Sequence, residues 1–194
     1  MTNAATDTLQ RLDHILRSMR VSEYTHKTEV DEAKGIYRLD CSALVDWVLK
    51  LSAPQAYEAV LRQTAHKRPL AEDYVAVMGD TRSNGWNPLT RVDELQPGDV
   101  IAWTMPADIN STNTGHVMFV FEKPQAIGVG RHSIRVADSS SSTHAADSRD
   151  DHASIGTGVI VLVTEHERPV AYGWKGRDSK RFYRTHIVLG RPVS

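Results

Sequence analysis

Cys41 is the only cysteine among 194 residues, and it stands in Asp40-Cys41-Ser42-Ala43-Leu44-Val45, where an apolar stripe begins. The first turn of a helix leaves backbone N–H groups unpaired and carries partial positive charge. Both favour a thiolate, the nucleophilic form of cysteine. The helix dipole supplies only about 1 kcal/mol, so full activation requires a neighbouring imidazole. A lone cysteine is more often an inert small hydrophobe. Asp40 has an equally plain role as an N-cap, and Ser42 could cap the helix slightly later.

Nine histidines compete for the role of base. His116 differs from the rest because it opens the apolar run HVMFVF directly after Thr114-Gly115. Glycine permits close backbone approach, and a strand holds its side chains rigidly, as a general base within hydrogen-bond reach of a thiol requires. A third group normally fixes the tautomer of such a histidine. Asp138 is the leading candidate, since it shares the face of Ile134 and Val136 in an alternating segment. Antiparallel pairing of that segment with residues 116–121 would set Asp138 beside His116. Asp147, Asp150, Asp151 and His132 are its rivals.

Two other chemistries are weaker. Asp138, His144, Asp147, Asp150, Asp151 and His152 offer metal-ligand side chains, but their spacing matches no compact signature. Ser139–Ser142 lack the glycine-flanked turn of a serine nucleophile. The expectation is no metal and no cofactor.

These groups must be positioned by two halves of different character. Leu9, Leu12, Leu16 and Met19 recur at helical spacing within residues 7–20. Cys41, Leu44, Val45, Val48 and Leu49 follow a second amphipathic stripe. Pro54 can open a third helix over 54–64, and 70–78 reads as a fourth. Residues 80–91 are rich in turn formers and read as a loop. Strands are expected at 100–104, 116–121, 133–138, 159–164, 170–174 and 185–189, with a long polar loop at 139–157. Helices first and strands second imply an α+β domain. The expectation is a single domain over 1–194, with a helical half over about 1–80 and a strand half over about 98–194.

Hydrophobic residues make up 40% of the chain and charged residues 24%, with a net charge of -1. That balance gives no reason to expect nucleic acid or an anionic membrane as partner. One cysteine excludes an internal disulfide. The N-terminal residues lack the basic and apolar segments of a secretory signal, so a cytoplasmic location is expected unless a signal was removed. The oligomeric state is not encoded in any motif.

Taken together, YRLDCSALVDWVL, LQPGDVIAW and TGHVMFV, followed by a polar residue that ends the next strand, resemble the NlpC-type papain-like cysteine peptidases. The resemblance covers roughly residues 36–140. It implies a papain-like fold, with N-terminal helices packed on a mostly antiparallel sheet or small barrel of about five to six strands. It implies Cys41 as nucleophile, His116 as base and Asp138 as the orienting residue, with the Cys41 backbone N–H at the oxyanion. It implies substrate-binding roles for Tyr37, Asp40 and Ser42, the latter two holding the free amine of a peptidoglycan stem peptide. The implied partner is a peptide or muropeptide, and the implied reaction is cleavage of an amide bond such as a γ-D-glutamyl bond. The chain lacks the family's usual Trp-Gly-Gly stretch ahead of the cysteine, and Ala43 stands where glycine is commoner. An amidase or acyltransferase on a different substrate, or a catalytically silent binding module, are the alternatives.

Overall fold

The computed structural model describes residues 4–82, 84–150 and 152–193. Four helices occupy the first half: α1 (Ala4–Ser18), α2 (Cys41–Ser52), α3 (Pro54–Leu61) and α4 (Ala71–Met78). Each lies within three residues of its expected bounds. The α2 stripe is the clearest case: Leu44, Val45, Val48 and Leu49 are fully buried. Each such side chain contributes roughly 1.5–3 kcal/mol of burial free energy. Pro54 fills the first turn of α3, where its missing N–H costs nothing.

Between α1 and α2, β1 (Val21–Glu23), β2 (Glu29–Asp31) and β3 (Ile36–Arg38) form a small sheet in the order β1-β3-β2. Strands of three residues are too short for alternation to register in sequence.

The second half is one large antiparallel sheet. It comprises β4 (Trp86–Leu89), β5 (Val100–Thr104), β6 (Gly115–Val120), β7 (Gln125–Gly128), β8 (Arg131–Ser140), β9 (Ser154–Glu165), β10 (Arg168–Gly173), β11 (Tyr183–Arg184) and β12 (Ile187–Pro192). The order is β11-β10-β9-β8-β6-β5-β12-β4, with β7 pairing to β8. The α+β class holds, but the expected five to six strands are nine in an open sheet. The supposed loop at 80–91 contains β4. That strand lies at the sheet edge, the one place where its Pro88 is tolerated in a ladder. The supposed loop at 139–157 is shorter, because β8 runs to Ser140 and β9 starts at Ser154.

Strand alternation gives the sheet two apolar faces. Val100, Ala102, Val117, Phe119 and Ala137 pack against the helices. Ile101, Trp103, Met118, Val120, Ile134 and Val136 form a second core on the opposite face. Asp99, in the Pro-Gly-Asp turn before β5, is fully buried. Its carboxylate accepts from Gln96 N–H at 2.8 Å and from Arg191 Nε and Nη2 at 2.9 and 2.8 Å. This turn residue therefore locks β12 to the entrance of β5.

Candidate active site

Asp40 caps α2: its Oδ1 accepts from Ala43 N–H at 2.9 Å. The cap fixes Cys41 as the first helical residue, with its side chain 7% exposed. Ser139 Oγ donates to the Leu39 carbonyl at 2.7 Å, which ties the end of β8 to the chain just ahead of the cysteine.

His116 lies in β6 opposite Trp103 of β5. Gly115 ahead of it has φ +152°, and a Cβ there would sit 1.9 Å from the Trp103 carbonyl oxygen. Only glycine allows β6 to begin so close to β5. β6 pairs antiparallel with β8 through Phe119↔Ala137 and Val120↔Val136. By alternation His116 and Asp138 share one face of the sheet. Their side chains meet there: His116 Nε2 donates to Asp138 Oδ2 at 2.6 Å.

The remaining ring nitrogen of His116, Nδ1, is left for Cys41. Burial alone would strip the His116 proton. Together the Cys41 sulfur, the hydrogen bonds from the ring to Asp138 and Cys41, and the Asp138 charge outweigh that, and the pKa is pushed up to about 10. The ring thus lies between the Cys41 sulfur and the Asp138 carboxylate, and both favour its protonated form. Asp138 is completely buried, which would favour its neutral form, but His144 and His116 hold it far below the usual carboxylate range.

Asp138 serves more than one partner. His144 Nε2 donates to the same Oδ2 at 3.0 Å. Arg149 Nη2 lies 3.2 Å from Oδ1 as an ion pair, without an aligned hydrogen bond. Both residues come from the β8–β9 connection, folded around Asp147. The Asp147 carboxylate accepts from His144 N–H at 2.6 Å and from Arg149 Nε and Nη2 at 2.8 and 2.7 Å. Gly156 of β9 makes room, since a Cβ there would meet Arg149 Cγ at 2.5 Å. Of the residues weighed against Asp138, Asp147 is thus a brace behind it. His132 pairs with Ala126 and Leu162 at the far end of β8. Asp150 is exposed, and Asp151 lies outside the described residues. Among the described residues, no group of three or more His, Cys, Asp or Glu is arranged to hold a metal ion.

Asp40 and Ser42 flank Cys41, but their polar atoms are engaged. Besides Ala43 N–H, the Asp40 carboxylate accepts from the Ser42 hydroxyl at 3.2 Å, from His26 Nδ1 at 3.1 Å and from the Arg68 guanidinium. Arg68 Nη1 also donates to Ser42 Oγ at 2.7 Å. Burial pushes the Asp40 pKa up; Ala43 N–H, Arg68 and His26 more than reverse this, so the group stays ionised. Four donors leave little capacity for a substrate ammonium. Tyr37 is fully buried, its hydroxyl 3.5 Å from Ser18 Oγ, and it lines neither cavity at the site. The tyrosine that lines the cavity over Cys41 is Tyr24. Burial and the negative charges of Cys41, Asp40 and Asp138 keep its phenol protonated.

Two cavities meet at Tyr24, Asn113 and Gly115. One, about 240 Å³, lies over Asp40, Cys41 and Ser42; the other, about 570 Å³, extends from His116 over Trp103, Tyr172 and Trp174. Trp86, by contrast, is a core residue donating to the Ala56 carbonyl at 3.0 Å. Sequence reasoning missed Tyr24, Arg68 and Arg149, and offered His144 only as a weak metal ligand and not as a partner of Asp138. Tyr24 and His26, two residues apart in an otherwise polar stretch, are the one visible signal.

No family profile matches the chain, and no solved structure matches it. An uncharacterized protein of Acanthamoeba polyphaga mimivirus is 26% identical over 175 residues, which covers 78% of this chain and 76% of that protein.

Proposed function

We propose that the protein is a cysteine hydrolase of papain-like architecture, built on a larger sheet, that cleaves an amide bond in a small peptide through a Cys41–His116–Asp138 triad. One observation carries the reading: the His116 ring donates to buried Asp138 at 2.6 Å and is hydrogen-bonded to Cys41, the first residue of α2. A cysteine packed as an inert hydrophobe needs no such polar partner. In the reaction the Cys41 sulfur attacks the carbonyl, His116 protonates the departing nitrogen, and a thioester forms. Backbone N–H at the start of α2 stabilises the oxyanion. Water, deprotonated by His116, then releases the acid.

A γ-D-glutamyl bond of peptidoglycan is the substrate that the sequence resemblance implies. The occupied Asp40 carboxylate favours the second reading, an amidase or acyltransferase acting on a non-murein substrate, because a stem-peptide ammonium would have to displace Arg68.

Iodoacetamide labelling at pH 6 tests the triad. Cys41 should react at least tenfold faster than free cysteine, whose thiol is almost wholly protonated there. Cys41→Ala should retain the fold by circular dichroism and lose turnover. Hydrolysis surviving in that variant would remove Cys41 from the mechanism. A sluggish thiol would point instead to a silent binding module.

A further inference from the structure

The larger cavity begins at the ring that must protonate the departing nitrogen. It contains His116 and excludes Cys41, whereas the smaller cavity contains Cys41 and excludes His116. Under the reaction above, the leaving amine therefore occupies the larger cavity and the acyl part the smaller.

The chemistry of the larger cavity is specific. Trp103 stacks on Tyr172 with centroids 4.2 Å apart, and Tyr172 stacks on Tyr183 at 5.4 Å. Trp174 stands edge-on to His116 at 5.1 Å. Trp103 and Tyr172 are buried, but Trp174 and Tyr183 are only half-buried and present ring surface to the cavity. Such surfaces favour another flat ring in stacked or edge-on contact. The outer rim carries Lys175, Lys180 and Arg181 against Asp178. Lys175 is held by the Thr143 carbonyl and hydroxyl at 2.6 and 2.9 Å. Arg181 pairs with Asp108 and lies 4.8 Å over the Tyr183 ring. An aromatic floor therefore ends in a rim where the Lys180 ammonium is engaged by no hydrogen bond or ion pair among the described residues.

Resting on the hydrolase reading, we propose that the leaving group is an aromatic α-amino acid with a free carboxylate, so that the enzyme releases phenylalanine-like residues from N-acylated or C-terminal positions. The side-chain ring lies on Trp174 and Tyr183, and the carboxylate faces Lys180 and Arg181. The C–N bond breaks as the Cys41 sulfur bonds to the acyl carbon. The proton on His116 passes to nitrogen, which leaves as a neutral amine. Water then adds its hydroxyl to the thioester carbon and its proton to His116, and the sulfur departs.

Benzyloxycarbonyl-Gly-Phe, its C-terminal amide and benzyloxycarbonyl-Gly-Gly provide the test, with amine release measured by mass spectrometry. The acid with phenylalanine should exceed the glycine analogue in kcat/KM by roughly tenfold or more, the value of burying one aromatic side chain. It should exceed its own amide by roughly fivefold, the scale of an exposed ion pair. The double variant Lys180→Ala/Arg181→Ala should abolish the preference for acid over amide. Binding of N-acetylphenylalanine to Cys41→Ala, followed by quenching of tryptophan fluorescence, separates the two claims. Rapid iodoacetamide labelling of Cys41 with no preference among the three substrates and no quenching would overturn this assignment and leave the hydrolase reading intact. An unreactive Cys41 with quenching that the double variant removes would overturn the hydrolase reading and retain the site.

Discussion

A single carboxylate oxygen at Asp138 accepts from two imidazoles, His116 at 2.6 Å and His144 at 3.0 Å, while Arg149 sits against the other oxygen. Desolvation would protonate an isolated buried acid; here the donors reverse it. Asp138→Asn keeps the shape and removes the charge. We expect kcat to fall on the order of 100-fold, the scale of a lost orienting and electrostatic partner. The alkaline limb of the labelling rate should move below about 10, because Asp138 is one of the groups that raise His116. An unchanged limb would show that Asp138 does not support the base. At this scale Cys41, His116 and Asp138 could be read in the sequence, because each sits at a defined position of a periodic element. Tyr24, Arg68, His144 and Arg149 reach the site from irregular segments, where no periodicity reports the direction of a side chain.

At the scale of elements, long amphipathic helices and long strands were legible, since burial of one face imposes 3.6- or 2-residue repeats. Short strands such as β1, β2 and β11 were not, because two or three residues cannot display a repeat. The Pro-Gly-Asp turn ahead of β5 is visible in the sequence, but the bidentate Arg191–Asp99 pair is not, as the two residues are far apart in the chain. Asp99→Ala would leave Arg191 facing an apolar turn and free the Gln96 N–H. We expect a loss of about 3–5 kcal/mol, as for other broken buried pairs, visible as a lower urea midpoint. A loss well under 1 kcal/mol would show that the pair does not anchor β12.

For the whole molecule, three buried groups contribute strongly to the pH dependence of stability. His116 keeps its proton to about 10 when folded, against 6.5 for a free imidazole, so its stabilisation is complete below 6.5 and drains away as the pH climbs toward 10. Asp138 acts oppositely: its stabilisation is present above 3.8 and is lost under acid conditions. Asp46 is buried beside the Tyr74 hydroxyl, which donates to it at 2.7 Å, and desolvation lifts its pKa to about 7. The folded state therefore binds this proton more tightly, and stability falls between pH 3.8 and 7. Calorimetry across pH should show Tm declining from neutrality to pH 10. His116→Gln should flatten that decline, and Asp46→Asn should flatten the one below pH 7. Parallel curves for wild type and both variants would exclude these groups as the source.

The β8–β9 connection also touches the aromatic cavity. Thr143 accepts Trp174 Nε1 at 3.1 Å and the Lys175 ammonium at 2.6 Å through its carbonyl, and the next residue, His144, leans on Asp138. A guest that displaces the Trp174 indole must pull on the same short stretch of backbone that steadies the proton relay. Occupancy of the cavity and alignment of the His116–Asp138 pair are thereby mechanically joined.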